Sequence, residues 1–173
     1  MNGTPTAPPA ARQQDATDNS VIRHGFSVGQ LHLLIPSGIP VQLLDVPRIS
    51  PLPLAPPWCK GMANHRGDVI AVFSVPELLL PPAPQTTAKH PHWLLVIDSP
   101  PNMCGLLIDS YPQLLNALQE ADLDSVANIP EQIRPFVYAA YTGSGKTWLD
   151  CRYDAWLLSV KALFQDYQSS LLS

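Results

Sequence analysis

Proline sets the first limit on what this chain can fold into. Of its 173 residues 20 are proline, seven of them between 36 and 57 and seven between 76 and 101. The proline ring fixes φ and removes the backbone donor, which bars it from helix interiors and central strands. Both stretches must therefore be loops, turns and short strands, and a mostly helical fold is excluded. Hydrophobic residues make up 46% of the sequence, enough for the core of one domain of this length. Charged residues reach only 14%, well below the roughly one quarter usual in globular domains. A surface so poor in charge points to partial cover by partners. The net charge is −4 and no Lys/Arg cluster exists, which argues against nucleic acid as a partner.

The apolar pattern is one of short strands. FSVGQLHLLI, from Phe26, alternates imperfectly around a turn at Gly29-Gln30. PVQLLDV (40–46), the β-branched run VIAVFSV (69–75), WLLVID (93–98), CGLLID (104–109), FVYAAY (136–141) and TWLDCRY (147–153) are further strand candidates. RISPLPLAPPWCKG (48–61) reads as a connection, residues 78–92 as a loop, SPPNM (99–103) as a hairpin link, and 112–133 as mixed. At the end, Asp154 is the expected N-cap of a helix whose apolar face is Trp156, Leu157, Val160, Leu163, Phe164 and Tyr167. Residues 1–22, polar and rich in Pro, Ala and Gln, are expected to be a disordered tail. Many short strands with one terminal helix imply small β-barrels, not a doubly wound α/β sheet.

TGSGKT (142–147) imitates the end of a phosphate-binding loop, G-x-x-x-x-G-K-[ST]. The first glycine of that pattern would fall on Ala140, and strand formers follow Thr147 where the loop requires a helix. The stretch reads as a hairpin turn with Gly143 and Gly145 supplying positive φ, and an enzyme using it for nucleotide is a remote alternative. Other chemistry has little support. His90 and His92 are too few for a metal site. Asp98 and Asp109 end neighbouring strands and read as turn-bonding carboxylates, although a carboxylate pair could serve catalysis. Cys59, Cys104 and Cys151 form no C-x-x-C pair and are expected to be reduced and buried. No catalytic residue, cofactor or metal is expected. No apolar run approaches the roughly 20 residues of a membrane span, and the N-terminus has no secretory apolar region. The chain is expected in the cytoplasm, without direct membrane insertion.

GMANHRG (61–67), followed by DVIAVFSVPELL, resembles the hallmark of the CheW family, a G-v-x-N-x-R-G turn entering an apolar strand. Other matches come in the family's order. FSVG resembles its opening strand and turn, LLDV (43–46) its V-x-E-V segment, and PLPLAPPWCKG its proline-rich lead-in. CGLLIDSY resembles G-l-l-V-D-x-V, and WLDCRYDAWL resembles its last strand. The resemblance covers about residues 23–168, a single CheW-like domain.

It implies a mainly β fold: two interlocked small five-stranded SH3-like β-barrels around a shared core, with a C-terminal helix. It also implies a non-enzymatic adaptor in chemotaxis or twitching-motility signalling. Such a protein joins the cytoplasmic tip of methyl-accepting chemoreceptors to the regulatory domain of a CheA-type histidine kinase, and is recruited to membrane receptor arrays. The length, the Pro-rich tail and the divergent motif resemble PilI-like members that serve type IV pilus systems. Carried onto this sequence, the partner-binding candidates are Asn64, His65, Arg66 and Gly67 in the turn, with Leu43 and Asp45. The family's hydrophobic groove would lie between the barrels, near Leu43 and the run Val69–Val75. Arg66 has two readings, a receptor contact or a structural arginine paired with Asp45. Gly61 and Gly67 are read as structural, and His65 as an exposed loop histidine. Three departures stand out: His65 where Leu is common, Asp45 where the family has Glu, and Ser74 where it has Asp. They motivate an alternative, a structural array member that binds the kinase without receptor coupling.

Overall fold

The computed structural model describes residues 22–81, 93–98 and 102–173. Its strands, in chain order, are β1 (Arg23–Val28), β2 (Leu31–Leu34), β3 (Val41–Asp45), β4 (Cys59–His65), β5 (Asp68–Ser74), β6 (Trp93–Ile97), β7 (Cys104–Ile108), β8 (Gln113–Leu115), β9 (Gln119–Ala121), β10 (Val137–Gly143) and β11 (Lys146–Cys151). The helices are α1 (Val75–Leu79) and α2 (Tyr153–Leu171). One sheet runs β8-β1-β2-β11-β10-β9 and the other β3-β6-β7-β5-β4. The mainly β fold with a terminal helix is as expected, and the first sheet counts six strands because the mixed segment 112–133 contributes two short edge strands. The expected tail, His90, His92 and most of the SPPNM link lie outside the described residues.

Both sheets are apolar on both faces, which gives three cores. Leu34, Leu115 and Trp148 fill the first barrel. Ala63, Ile70, Val72, Leu94, Val96 and Leu107 fill the second. The opposite faces of the strands, including Phe26, Leu33, Leu95, Ile97, Leu106 and Leu149, meet in a larger shared core with the start of α2. Alternation in β6 shows the logic: Leu94 and Val96 point to one core, Leu95 and Ile97 to the other. Strands buried on both sides read as continuous apolar runs. Trp148 is fully buried and its indole N–H donates to the Gly143 carbonyl at 3.0 Å. Gly25 makes room for it, since a Cβ there would sit 2.4 Å from the indole ring.

Local structure departs from expectation at four points. TGSGKT is indeed a hairpin: Gly143 pairs with Lys146, leaving a two-residue turn, and β11 follows where a nucleotide loop would need a helix. The positive φ values belong to Ser144 (52°) and Gly145 (71°), not to Gly143. Gly143 instead leaves space for Leu118, whose Cδ2 would lie 2.6 Å from an added Cβ. Residues 75–79, placed partly in strand and partly in loop, form α1, with Ser74 as its N-cap accepting from the Glu77 amide at 3.4 Å. α2 starts one residue before Asp154. Tyr153 is already helical because its buried hydroxyl is tied to the Leu34 carbonyl at 2.8 Å, leaving Asp154 in the first turn, where its charge suits the helix dipole. Finally, β4 was not anticipated. Its inward residues Cys59, Gly61, Ala63 and His65 alternate with Lys60, Met62 and Asn64, but three of them are small and the fourth is polar, so they do not register as an apolar strand.

Cys59, Cys104 and Cys151 are free and buried. Burial pushes the thiols of Cys104 and Cys151 up to about 12 and raises that of Cys59. Two outcomes are expected. The native protein reacts slowly with a thiol reagent and all three cysteines react on unfolding. Because unfolded thiols ionise from near 9.0 while these stay neutral to about 12, stability falls between those pH values; urea midpoints at pH 8 and pH 10 measure this, and Cys104→Val shrinks the difference. A third test concerns space: Gly25→Ala lowers stability by roughly 1–3 kcal/mol, and in a Trp148→Leu background it costs clearly less.

Candidate partner-binding surfaces

Two surfaces collect the candidate residues. The first is an open groove of about 640 Å³ between the sheets. β3 contributes Val41 and Leu43, and β6 contributes Leu95. The β2–β3 connection adds Ile35 and Ile39, and β8 with the segment before it adds Tyr111, Pro112 and Leu114. His24 on β1 and the Tyr111 hydroxyl are the polar side-chain groups of the lining. The groove exists because β3 is an edge strand whose Val41 and Leu43 face the shared core without being closed over by it. Tyr111 is 62% exposed and Leu114 is 60% exposed on its rim, a location where isolated apolar side chains gain nothing by themselves. Leu43 lines this groove. The run Val69–Val75 does not line it: most of that strand is core, and Val69 is exposed in a different place.

The second surface is the β4–β5 hairpin. His65 pairs with Asp68, so Arg66 and Gly67 form a two-residue turn with φ of 54° and 92°. The Asn64 side-chain oxygen accepts from the Gly67 amide at 3.2 Å and fixes the turn. Asn64, Arg66 and Gly67 are exposed, while His65 is not. Its side chain shares the inward face of β4 with Ala63, only 8% of it is accessible, and its Nε2 is sealed without a hydrogen-bond partner. The exposed-loop reading of His65 is thus corrected by the pleat, which turns residue 65 inward once residue 63 is in the core.

The pairing of Arg66 with Asp45 is also corrected. The ladder sets Asp45 level with Trp93 and Ile108, one rung past the Ser74–Leu107 pair. Arg66 lies beyond Asp68, at the other end of these strands. The ion pairs among the described residues are Arg23–Asp150 and Lys60–Glu77. Asp98 and Asp109 are separated in the same way. β6 and β7 run antiparallel, so two carboxylates that each follow the C-terminal end of their strand stand at opposite ends of the pair. They cannot act on one bond.

The groove rim is held by a pair that the sequence did not announce. Arg23 Nη1 donates to Asp150 Oδ2 at 2.9 Å, and its Nη2 donates to the Ile35 carbonyl at 3.2 Å. The carboxylate is nearly buried, with 4% of its side chain accessible. This arginine thereby ties β1 to β11 and fixes the segment that carries Ile35 and Ile39 into the groove. His24, Ile35, Ile39, Tyr111 and Leu114 escaped sequence reasoning because they come from separate connections and edges that only the fold brings together.

A double barrel with an open apolar groove and an exposed charged turn is a binding domain. The family model of the CheW-like domain matches residues 24–167, and the chain belongs to that family, whose members are non-enzymatic chemotaxis scaffolds. Among solved structures, the scaffolding protein TtCheW from Thermoanaerobacter tengcongensis shares the fold, with a TM-score of 0.57 and 14% identity over 77% of this chain and 89% of that one. No curated protein sequence matches the chain. Among the described residues no helix is long and apolar enough to cross a membrane, and no group of three His, Cys, Asp or Glu side chains could hold a metal ion.

Asp150→Asn removes the charge from a largely desolvated pair and leaves the Arg23 guanidinium uncompensated. It is expected to cost roughly 3–5 kcal/mol, read as a fall in the urea midpoint at unchanged slope. A loss under 1 kcal/mol would show that water reaches the pair.

Proposed function

We propose that this chain is a coupling adaptor that binds a helical segment of a methyl-accepting chemoreceptor tip in the groove and a CheA-type kinase regulatory domain on a separate surface. The groove carries this reading. Its lining is apolar apart from His24 and the Tyr111 hydroxyl, it is open, and it lies between two barrels, which suits the apolar face of an amphipathic helix. Coupling follows if the receptor's signalling states bind this groove unequally, since only differential affinity shifts the kinase's equilibrium. The adaptor is then recruited to membrane receptor arrays. A type IV pilus output of PilI-like kind is the finer assignment, supported by the Pro-rich N-terminal segment and the NHRG turn.

Arg66 supplies the charged contact. A non-glycine residue at positive φ is strained, and glycine or asparagine would suit the turn better. Its guanidinium is exposed and has no carboxylate partner among the described residues. The turn alone does not account for an arginine there; a carboxylate on a partner does. The alternative of a kinase-only array member loses one of its supports, because Ser74 caps α1 and serine and aspartate are equivalent in that task.

Size-exclusion co-migration with a cognate receptor fragment and kinase regulatory domain tests the reading. The wild type forms a three-way complex. Leu114→Glu, at the exposed groove rim, loses the receptor and keeps the kinase. Arg66→Gly keeps its folding stability within about 1 kcal/mol yet binds receptor at least tenfold more weakly. Receptor binding unchanged in Leu114→Glu would overturn the groove assignment, and kinase binding alone by the wild type would leave the array-member reading in its place. For the output, deletion in the source cell should impair twitching and spare swimming.

A further inference from the structure

Helix α2 carries an apolar seam that coupling does not use. Tyr153, Leu157, Val160, Phe164, Tyr167 and Leu171 follow each other at alternating steps of four and three residues, the spacing that keeps one stripe facing a partner helix. The first part of the seam is spent on the shared core, with Tyr153, Leu157 and Val160 each at most 4% exposed. Phe164 marks the border, edge-on to Trp58 at 6.3 Å between ring centroids. Beyond it the same stripe runs into solvent: Tyr167 is 37% exposed, Leu171 47%, and Leu163 on its flank 49%. A 19-residue helix is roughly 28 Å long, and about half of it stands clear of the barrels.

We propose that the distal half of α2, residues 161–171, pairs antiparallel with the same segment of a second copy of this chain. Charge supports a copy over a foreign helix. The segment holds two charged residues, Lys161 and Asp166. The Lys161 ammonium already donates to the Asn102 side chain at 3.3 Å, and Asp166 lies off the seam by its helical position. Two copies therefore meet without like charges across the stripe, and a charged partner helix would find nothing complementary. Direction follows from the body of the domain. A parallel pair would press the two domains together at the same end, whereas an antiparallel pair sets them at opposite ends and opposes the helix dipoles. In a two-fold arrangement centred on Tyr167, that residue meets its own equivalent, and Phe164 faces Leu171 of the second copy. Three layers of side chains bury less than the roughly 1,200 Å² of a standard interface, so the dimer is weak, with a Kd of order 10–100 µM.

Sedimentation velocity of the full chain from about 5 to 500 µM, a range bracketing that Kd, reads the association directly. The wild type shifts from monomer to dimer. The double variant Leu163→Glu/Leu171→Glu stays monomeric, at least tenfold weaker, with an unchanged near-ultraviolet spectrum, because both positions are exposed. Under mild oxidation Tyr167→Cys gives a covalent dimer and Leu158→Cys, exposed but off the seam, does not; the native thiols are buried and add no background. A wild type that stays monomeric to the top of the range would overturn the proposal. So would a dimer that keeps its affinity in the double variant, since that dimer uses another face.

Discussion

The parallel contact between β2 and β11, where Leu33 meets Leu149, is the pairing on which the rest depends. It joins the start of the domain to its end and turns two hairpins into one sheet. Closing so long a loop is entropically costly, and the structure offsets the cost locally. The Arg23–Asp150 pair and the hydrogen bond from Tyr153 to the Leu34 carbonyl both span the same junction. Trp148, next along β11, fills the barrel that this junction completes, and α2 leaves from its end into the shared core. A groove between two barrels has a defined width only if the barrels are fixed relative to each other, and this junction fixes one side of it.

Polar departures from a family pattern need their local chemistry before they are read as lost function. Ser74 in place of aspartate caps α1. Asp45 stands exposed at a strand end, where a shortened acidic side chain has no buried partner to miss. His65 is different. Its ring replaces an aliphatic side chain in an inward position and leaves one nitrogen sealed and unpartnered, a cost of roughly 1–3 kcal/mol when such a group is buried neutral. The hairpin bears that cost together with the positive φ at Arg66.

Much of the architecture could be read before the fold was seen. Proline kept long helices out of two stretches, where only the five-residue α1 forms, with Pro76 in its first turn. Continuous apolar runs marked β5, β6 and β7, which are largely buried on both faces, and strand formers marked β10 and β11. Gly29-Gln30 and the TGSGK stretch placed two hairpin turns. β4 escaped because its inward residues are small or polar, and α1 because a five-residue helix beginning with Val-Pro has no period to detect. Of the candidate site, Leu43 and the exposed turn at Arg66 were legible. The Arg66–Asp45 pairing was not real, since nearness along a motif says nothing about which end of an antiparallel ladder a residue occupies.

The sequence by itself determined where most of the longer strands lie, where two hairpins turn, that the fold is mainly β with one terminal helix, and the family to which it belongs. Those properties depend on local periodicity, on proline and glycine geometry, and on short motifs. The tertiary structure alone decided that Arg23 finds Asp150, that Gly25 yields its volume to Trp148, and that His24, Ile35, Tyr111 and Leu114 converge with Leu43 on one groove. It also decided that the apolar stripe of α2 outruns the core available to cover it. Each of these depends on contacts between residues far apart in the chain, and such contacts leave no pattern at short range for a sequence to display.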